Sequence, residues 1–186
     1  MAWLATAEEP LGAYSSCLLS SINLSEFVKN PFTDNAYFDF VDFSYAVELA
    51  TIEMNKVLDE GASLLPLKEQ TEASLKWRQI GIGIMGFADM LVKLGIRYGS
   101  EECVQIINDI GHDLANGAMS TSAHLAALHG AYPGMQNVQN VLDTPYFKMI
   151  ADDDTKEMVQ TYGMRNSQLL TIAPTGLTKM AQYKFS

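Results

Sequence analysis

An α/β domain of parallel strands joined by helices is expected from three features of this sequence. Two short apolar runs, 17–24 and 167–172, have strand character. Between them lie long stretches in which apolar residues recur every three or four positions. Glycine, proline and capping residues fall where those stretches end. Strands separated by helices of this length belong to parallel α/β sheets or barrels, and 186 residues suffice for one domain with a real core.

Residues 1–16 have no period and are broken by Pro10, Gly12 and the Ser15-Ser16 pair. The first strand follows over 17–24, with Leu18, Leu19, Ile22 and Leu24 as its apolar positions. Asn30-Pro31 and Asp34-Asn35 mark a loop over 29–38. Phe43, Ala46, Val47, Ala50, Met54, Val57 and Leu58 define a helix over 42–60, with Gly61 as its stop. A connector around Pro66 leads to a short helix over 69–78. A strand end at 79–83 and a helix over 85–94, stopped by Gly95, come next.

Ser100 followed by Glu101 and Glu102 is a helix start, a capping hydroxyl with acids in the first turn. That helix is expected to run to His129 and stop at Gly130. Gly111 and Gly117 weaken it by up to about 1 kcal/mol each, so close packing is expected at both. Residues 131–145 read as loop, and 152–162 as a short acidic helix closed by Gly163. The run 167–172 then reads as a buried strand ending at Pro174-Thr175-Gly176. Pro174 donates no ladder hydrogen bond, Gly176 has unusual backbone freedom, and Thr175 and Thr178 supply hydroxyls. Such a turn suits either an anion cradle or a plain connection.

Net charge is −10, from 12 basic and 22 acidic residues. A protein that coats nucleic acid needs a basic face, so nucleic acid is not an expected partner. One phosphate can still be held by local N–H donors. Apolar runs are far shorter than a membrane span, no basic-then-apolar leader opens the chain, and the two cysteines, Cys17 and Cys103, suit a reducing cytoplasm.

Gly81-Ile82-Gly83-Ile84-Met85-Gly86 matches G-x-G-x-x-G, the spacing of a dinucleotide fingerprint. The fingerprint needs a normal strand before it and an acid ending a second strand about 20 residues on. Residues 72–78 and the region of Asp109 read as helical, so close packing of helix on strand is the favoured reading. His112, His124 and His129 form no H-x-x-x-H pair and no metal site is expected. Cys17 reads as a small buried hydrophobe unless a second thiol reaches it. Glu8-Glu9 is an acidic pair able to do acid–base work only if brought beside a thiol. Asp152-Asp153-Asp154 reads as a solvated helix start.

Three ordered stretches resemble the large catalytic subunit of ribonucleotide reductase. Residues 17–27 (CLLSSINLSEF) resemble the segment around one of its redox cysteines. Residues 78–89 (RQIGIGIMGFAD) resemble a barrel strand and helix, and 165–176 (RNSQLLTIAPTG) its substrate-phosphate loop. The resemblance covers about 8–178. It implies part of a ten-stranded α/β barrel around a finger loop, in which a thiyl radical abstracts the ribose 3′-hydrogen. Glu8 is then the base, Cys17 one of the redox pair, and Ala173, Pro174, Thr175, Gly176, Leu177 and Thr178 the phosphate loop. The implied division is a single partial barrel domain over 1–186, with a finger-loop remnant at 1–16, barrel elements at 17–178 and a divergent tail at 179–186.

The resemblance further implies a ribonucleotide substrate and no directly bound cofactor. It implies an external radical generator and a thioredoxin- or glutaredoxin-type reductant. The implied partners are a radical-generating small subunit or a chain completing the barrel, in an oligomer. Thr6 stands where the family has its radical cysteine, Leu4 where it has asparagine, and Leu177 where it has a hydroxyl. The family's upstream redox cysteine, effector regions and radical-relay tail have no counterpart here. The chain alone is therefore expected not to reduce nucleotides. A nucleotide-binding or assembly module completing a split barrel is the alternative.

Overall fold

A computed structural model describes residues 11–16 and 18–173. Its elements run β1 (Leu19–Asn23), a 3-10 turn (Leu24–Phe27), β2 (Val28–Lys29), β3 (Tyr37–Phe38), α1 (Phe40–Ala62), α2 (Lys68–Trp77), β4 (Gly81–Met85), α3 (Phe87–Leu94), α4 (Glu101–His129), α5 (Gln139–Leu142), α6 (Pro145–Ile150) and α7 (Asp153–Tyr162).

The expected parallel arrangement is present. β1 and β4 pair in parallel, Leu19 opposite Gly81 through Asn23 opposite Met85. Residues 168–171 lie parallel along the other edge of β4. The Ile80 and Ile82 amides donate to the Gln168 and Leu169 carbonyls at 3.1 and 2.8 Å, and the Thr171 amide donates to the Ile82 carbonyl at 3.1 Å. The expected strand over 167–172 is thus, among the described residues, a bridge at Leu170 with flanking hydrogen bonds. α1 and α2 carry the crossover from β1 to β4, and α3 to α7 carry the next. Parallel neighbours require such long connections.

Helix ends follow local chemistry. The Asp39 carboxylate accepts from the Val41 and Asp42 amides at 3.1 Å and starts α1. Ser100 Oγ accepts from the Cys103 amide at 3.2 Å and starts α4. Gly95, Gly130 and Gly163 stop α3, α4 and α7 with φ of 74°, 82° and 75°. Asp153 and Asp154 occupy the first turn of α7, where their charge meets the helix's positive end.

Several expectations are corrected. Gly61 lies inside α1, which ends at Ala62; burial of Leu58 and Ala62 carries the helix past the glycine. The strand near residue 80 is Gly81–Met85 rather than an end at 79–83. α3 accordingly begins at Phe87, because pairing with Asn23 of β1 holds Met85 extended. The 131–145 loop contains α5, and Thr144 with Pro145 starts α6, the Phe147 amide donating to Thr144 Oγ1 at 3.2 Å. The 29–38 loop joins two strands, Val28 pairing with Phe38 and Lys29 with Tyr37.

The core lies between the sheet and the α1–α4–α7 layer. Ile80, Ile82, Phe43, Val47, Met90, Ile110, Ala118 and Val159 are completely buried. Phe27, Phe38 and Phe43 meet in tilted and edge-to-face contacts, 5.4 to 6.0 Å between ring centres. Gly117 admits α1 closely, since a Cβ there would stand 3.3 Å from Val47 Cγ1. Gly111 has no such neighbour, contrary to expectation; it faces solvent on α4.

Candidate functional site

The carboxyl ends of the three parallel segments form one edge, where open α/β sheets hold their ligands. Asn23, Gly86 and Ala173 stand there. Asn23 Oδ1 accepts from the Ser25 amide and hydroxyl at 3.2 and 3.1 Å. Gly86, at φ 70°, lets the chain pass over it: a Cβ there would lie 2.0 Å from Asn23 Oδ1. Lys93 Nζ donates to the Ser25 carbonyl at 2.6 Å, tying α3 to the same corner.

Gly83 has the second close contact. A Cβ there would lie 2.4 Å from the Thr171 carbonyl oxygen. Two of the three glycines of 81–86 therefore serve close approach, Gly83 to the neighbouring segment and Gly86 to Asn23. Both Gly81 and Gly83 lie inside β4 rather than after a strand. That overturns the geometry a dinucleotide fingerprint requires. The packing is of segment on strand, not helix on strand.

The segment leading to Ala173 is held from below by a buried polar network. Asn166, 1% exposed, donates to Asn55 Oδ1 at 3.0 Å and to the Arg78 carbonyl at 2.9 Å. Its Oδ1 accepts from Asn55 Nδ2 at 3.1 Å and from Ser122 Oγ at 2.9 Å. Arg78 Nη2 donates to Asn55 Oδ1 and Asp59 Oδ2, both at 3.0 Å. This fork from the Arg78 guanidinium holds the Asp59 carboxyl below its ordinary value. Arg165 donates to the His129 and Gly130 carbonyls at 3.1 and 3.0 Å. Burial and the nearby Arg78 charge lower its pKa.

Beside residues 166–170 opens a cleft of about 430 Å³, lined by Met119, Tyr132, Asn140, Tyr146, Phe147 and Gln168 among others. Burial raises the Tyr132 and Tyr146 hydroxyls, which stay protonated at neutral pH. A second cleft of about 220 Å³ lies at the amino edge of the sheet against Ser16, Leu18 and Gln79.

The chain matches the family described as ribonucleotide reductase, barrel domain, over residues 6–184. It belongs to the ribonucleotide reductase barrel-domain family. It is 34% identical, over 91% of its length, to the vitamin B12-dependent ribonucleoside-diphosphate reductase of Thermoplasma acidophilum. It is 28% identical over 88% to the ribonucleoside-diphosphate reductase large chain of Encephalitozoon cuniculi, and 29% identical over 86% to the subunit alpha of Chlamydia pneumoniae. The matches cover 19%, 22% and 16% of those relatives, so the chain spans about a fifth of their length.

Of the residues that the reductase resemblance singles out, Glu8, Cys17 and Pro174 to Thr178 lie outside the described residues. Ala173 is described, half-buried at the carboxyl edge. Leu18 begins the opposite edge, its carbonyl accepting from the Gly81 amide at 2.8 Å. The two edges are roughly 17 Å apart along the strands. Cys103 is free and buried at the start of α4. His124 Nδ1 is 2.8 Å from the Ser120 carbonyl, and His112 stands 3.8 Å from Asp152. Among the described residues no three His, Cys, Asp or Glu side chains are grouped to hold a metal ion. No described helix is long and apolar enough to cross a membrane.

The network of Asn55, Asp59, Arg78, Ser122 and Asn166 is what sequence reading missed. Its signal was polar residues at core-facing helical positions: Asn55 between Met54 and Leu58, and Ser122 between Met119 and Ala126.

Proposed function

We propose that the chain contributes to reducing ribonucleotides to 2′-deoxyribonucleotides as part of the large-subunit barrel. The reading is carried by the three-segment parallel sheet, whose close packing at Gly83 and Thr171 delivers Ala173 to the carboxyl edge. On it, residues 1–186 are one partial domain of a ten-stranded barrel: finger-loop remnant at 1–16, barrel elements at 17–178, divergent tail at 179–186. Residues Ala173 to Thr178 cradle the substrate phosphates, Glu8 is the base and Cys17 is one of two reducing thiols. The net change balances as two thiols oxidised to a disulfide, the 2′-hydroxyl lost as water, and hydrogen gained at C2′. Cys103 is buried in α4, so the second thiol comes from outside this segment.

The radical comes from a separate generator. One relative's name carries vitamin B12 dependence, and a radical-generating subunit is the other source. A thioredoxin- or glutaredoxin-type protein regenerates the thiols, and assembly into an oligomer completes the barrel.

Thr6 favours a second reading. It occupies the radical position, and an O–H bond is stronger than the S–H bond the chemistry uses. On this reading the chain binds nucleotide or completes a barrel without turning over by itself. Calorimetric titration with a nucleoside diphosphate, and separately with a nicotinamide dinucleotide, tests the nucleotide site. Heat with the first alone is expected; no heat with the first sinks the cradle. Deoxynucleotide formation by the chain with a radical-generating subunit would overturn the inactive reading.

A further inference from the structure

The three parallel segments follow one another across the sheet, and the crossovers between them lay their helices in one layer, where α1 packs on α4 and α4 on α7. Such crossovers keep one hand. A further crossover from Ala173 therefore turns back along the outer side of 166–170, beside α4. The cleft of about 430 Å³ lies at that place. Met119 of α4, Phe147 of α6 and Leu169 are its buried lining, and Tyr146, 50% exposed, is its outer lining. No charged side chain lines it, so it suits an apolar occupant.

Residues 174–186 carry a matching pattern. Pro174 and Gly176 are turn signals. Leu177, Lys179, Met180, Ala181, Gln182 and Lys184 are all strong helix formers. Leu177, Met180, Ala181 and Phe185 recur at helical spacing and share one side, with Lys179 and Gln182 on the other. We infer that residues 177–186 form a helix that seats this apolar side in the cleft.

Length and direction agree. A helix over 177–186 is about 15 Å long, and the segment 166–170 that flanks the cleft spans about 17 Å. Running back from the carboxyl edge, the helix sets Leu177 near Leu170 and Phe185 near Tyr132 and Met164. Those two mark the far end of the cleft, the Tyr132 amide donating to the Met164 carbonyl at 2.9 Å. Lys184 shares the apolar side in the last turn. Its stem lies on apolar surface while its ammonium reaches water, and its charge suits the negative end of the helix. The inference rests on the hand of the crossover and the lining of the cleft. It does not rest on the nucleotide reading, and nucleotide titration does not bear on it.

Amide exchange of the full chain, read by mass spectrometry, is expected to be slowed at least about tenfold over 178–185 relative to an unstructured peptide. Met180→Asp is expected to abolish that protection and to raise the fluorescence of an apolar dye that lights up in exposed clefts. Lys179→Asp, on the outer side, is expected to change neither. Phe185→Cys combined with Tyr132→Cys is expected to be bridged within one chain by a short bismaleimide, as located by peptide mapping. Phe185→Cys combined with Val104→Cys, which lies about 20 Å along α4 from Met119, is not. Unprotected amides over 178–185 in the parent chain, a Met180→Asp chain with the parent's protection and dye binding, or bridging to position 104 in preference to 132 would each overturn the inference.

Discussion

Asn55 and Asn166 lie 111 residues apart and exchange side-chain amide hydrogen bonds at 3.1 and 3.0 Å. The pair joins α1 to the segment that runs to the carboxyl edge of the sheet. Around it, Ser122 brings in α4 and the Arg78 carbonyl brings in the end of α2, just before β4. A single buried amide thus sets the relative height of four elements, which a purely apolar contact would leave free to slide.

Replacing Asn166 by alanine leaves Asn55, Ser122 and the Arg78 carbonyl short of partners in a buried site. Each stranded polar group costs about 1–3 kcal/mol, and networks lose more than isolated pairs. A loss of about 3 kcal/mol is expected from urea unfolding. An effect below about 1 kcal/mol would mean that water replaces the amide and that the network does not hold the segment.

Three glycines separate packing from helix propensity. Gly83→Ala places a methyl 2.4 Å from the Thr171 carbonyl oxygen, a backbone atom that cannot turn aside. A loss of about 2 kcal/mol or more is expected, with faster amide exchange at Thr171. Gly117→Ala meets the Val47 side chain at 3.3 Å, so crowding and helix propensity offset and the change is expected within about 0.5 kcal/mol. Gly111→Ala meets nothing within 4 Å and should stabilise α4 by about 0.5–1 kcal/mol. Equal melting shifts for all three would contradict this packing.

Asp59 has a carboxyl pKa lowered by Arg78, a pair with side chains 50% and 3% exposed. A carboxylate lowered in the folded state adds stability above its unfolded pKa of about 3.9 and loses it as pH falls through the lower folded value. Half exposure screens the pair, so Asp59→Asn is expected to cost about 1 kcal/mol at neutral pH. The gap should stay level down to about pH 5 and close below about pH 4 as the parent carboxyl takes up its proton. Urea midpoints of both proteins across that range decide it; a gap that widens on acidification has the wrong sign.

Long-period features were legible in the sequence and short or crossing ones were not. α4 was readable end to end because Ser100 and Gly130 signal its limits and its periodicity lasts 29 residues. The edge of α1 was not, because tertiary burial of Leu58 and Ala62 overrides the stop signal at Gly61. β2 and β3 are two residues each, too short to show alternation. The three glycines of 81–86 showed that something approaches closely, but sequence has no means of naming Thr171 and Asn23 as what approaches. In the candidate site, the turn expected from Pro174 and Gly176 lies outside the described residues. The Asn55–Asn166 pair was not, because its two halves are joined only by the fold.

Arg165 is the remaining link between the buried network and a helix end. Its guanidinium donates to the His129 and Gly130 carbonyls, two acceptors left over where α4 stops. Two effects oppose each other on replacing it with methionine. Relief of burial and of repulsion from Arg78, the causes that lower its pKa, favours the variant. Loss of two charged hydrogen bonds disfavours it, by about 1.5–3 kcal/mol each before screening. The bonds are expected to win by about 1 kcal/mol because the side chain is partly solvated. The loss should be local: amide exchange from 126 to 130 is expected to quicken, while that of β4 is unchanged. Unaltered exchange there would show that the Gly130 amide's bond to the Ala126 carbonyl, at 2.8 Å, closes the helix without help from Arg165.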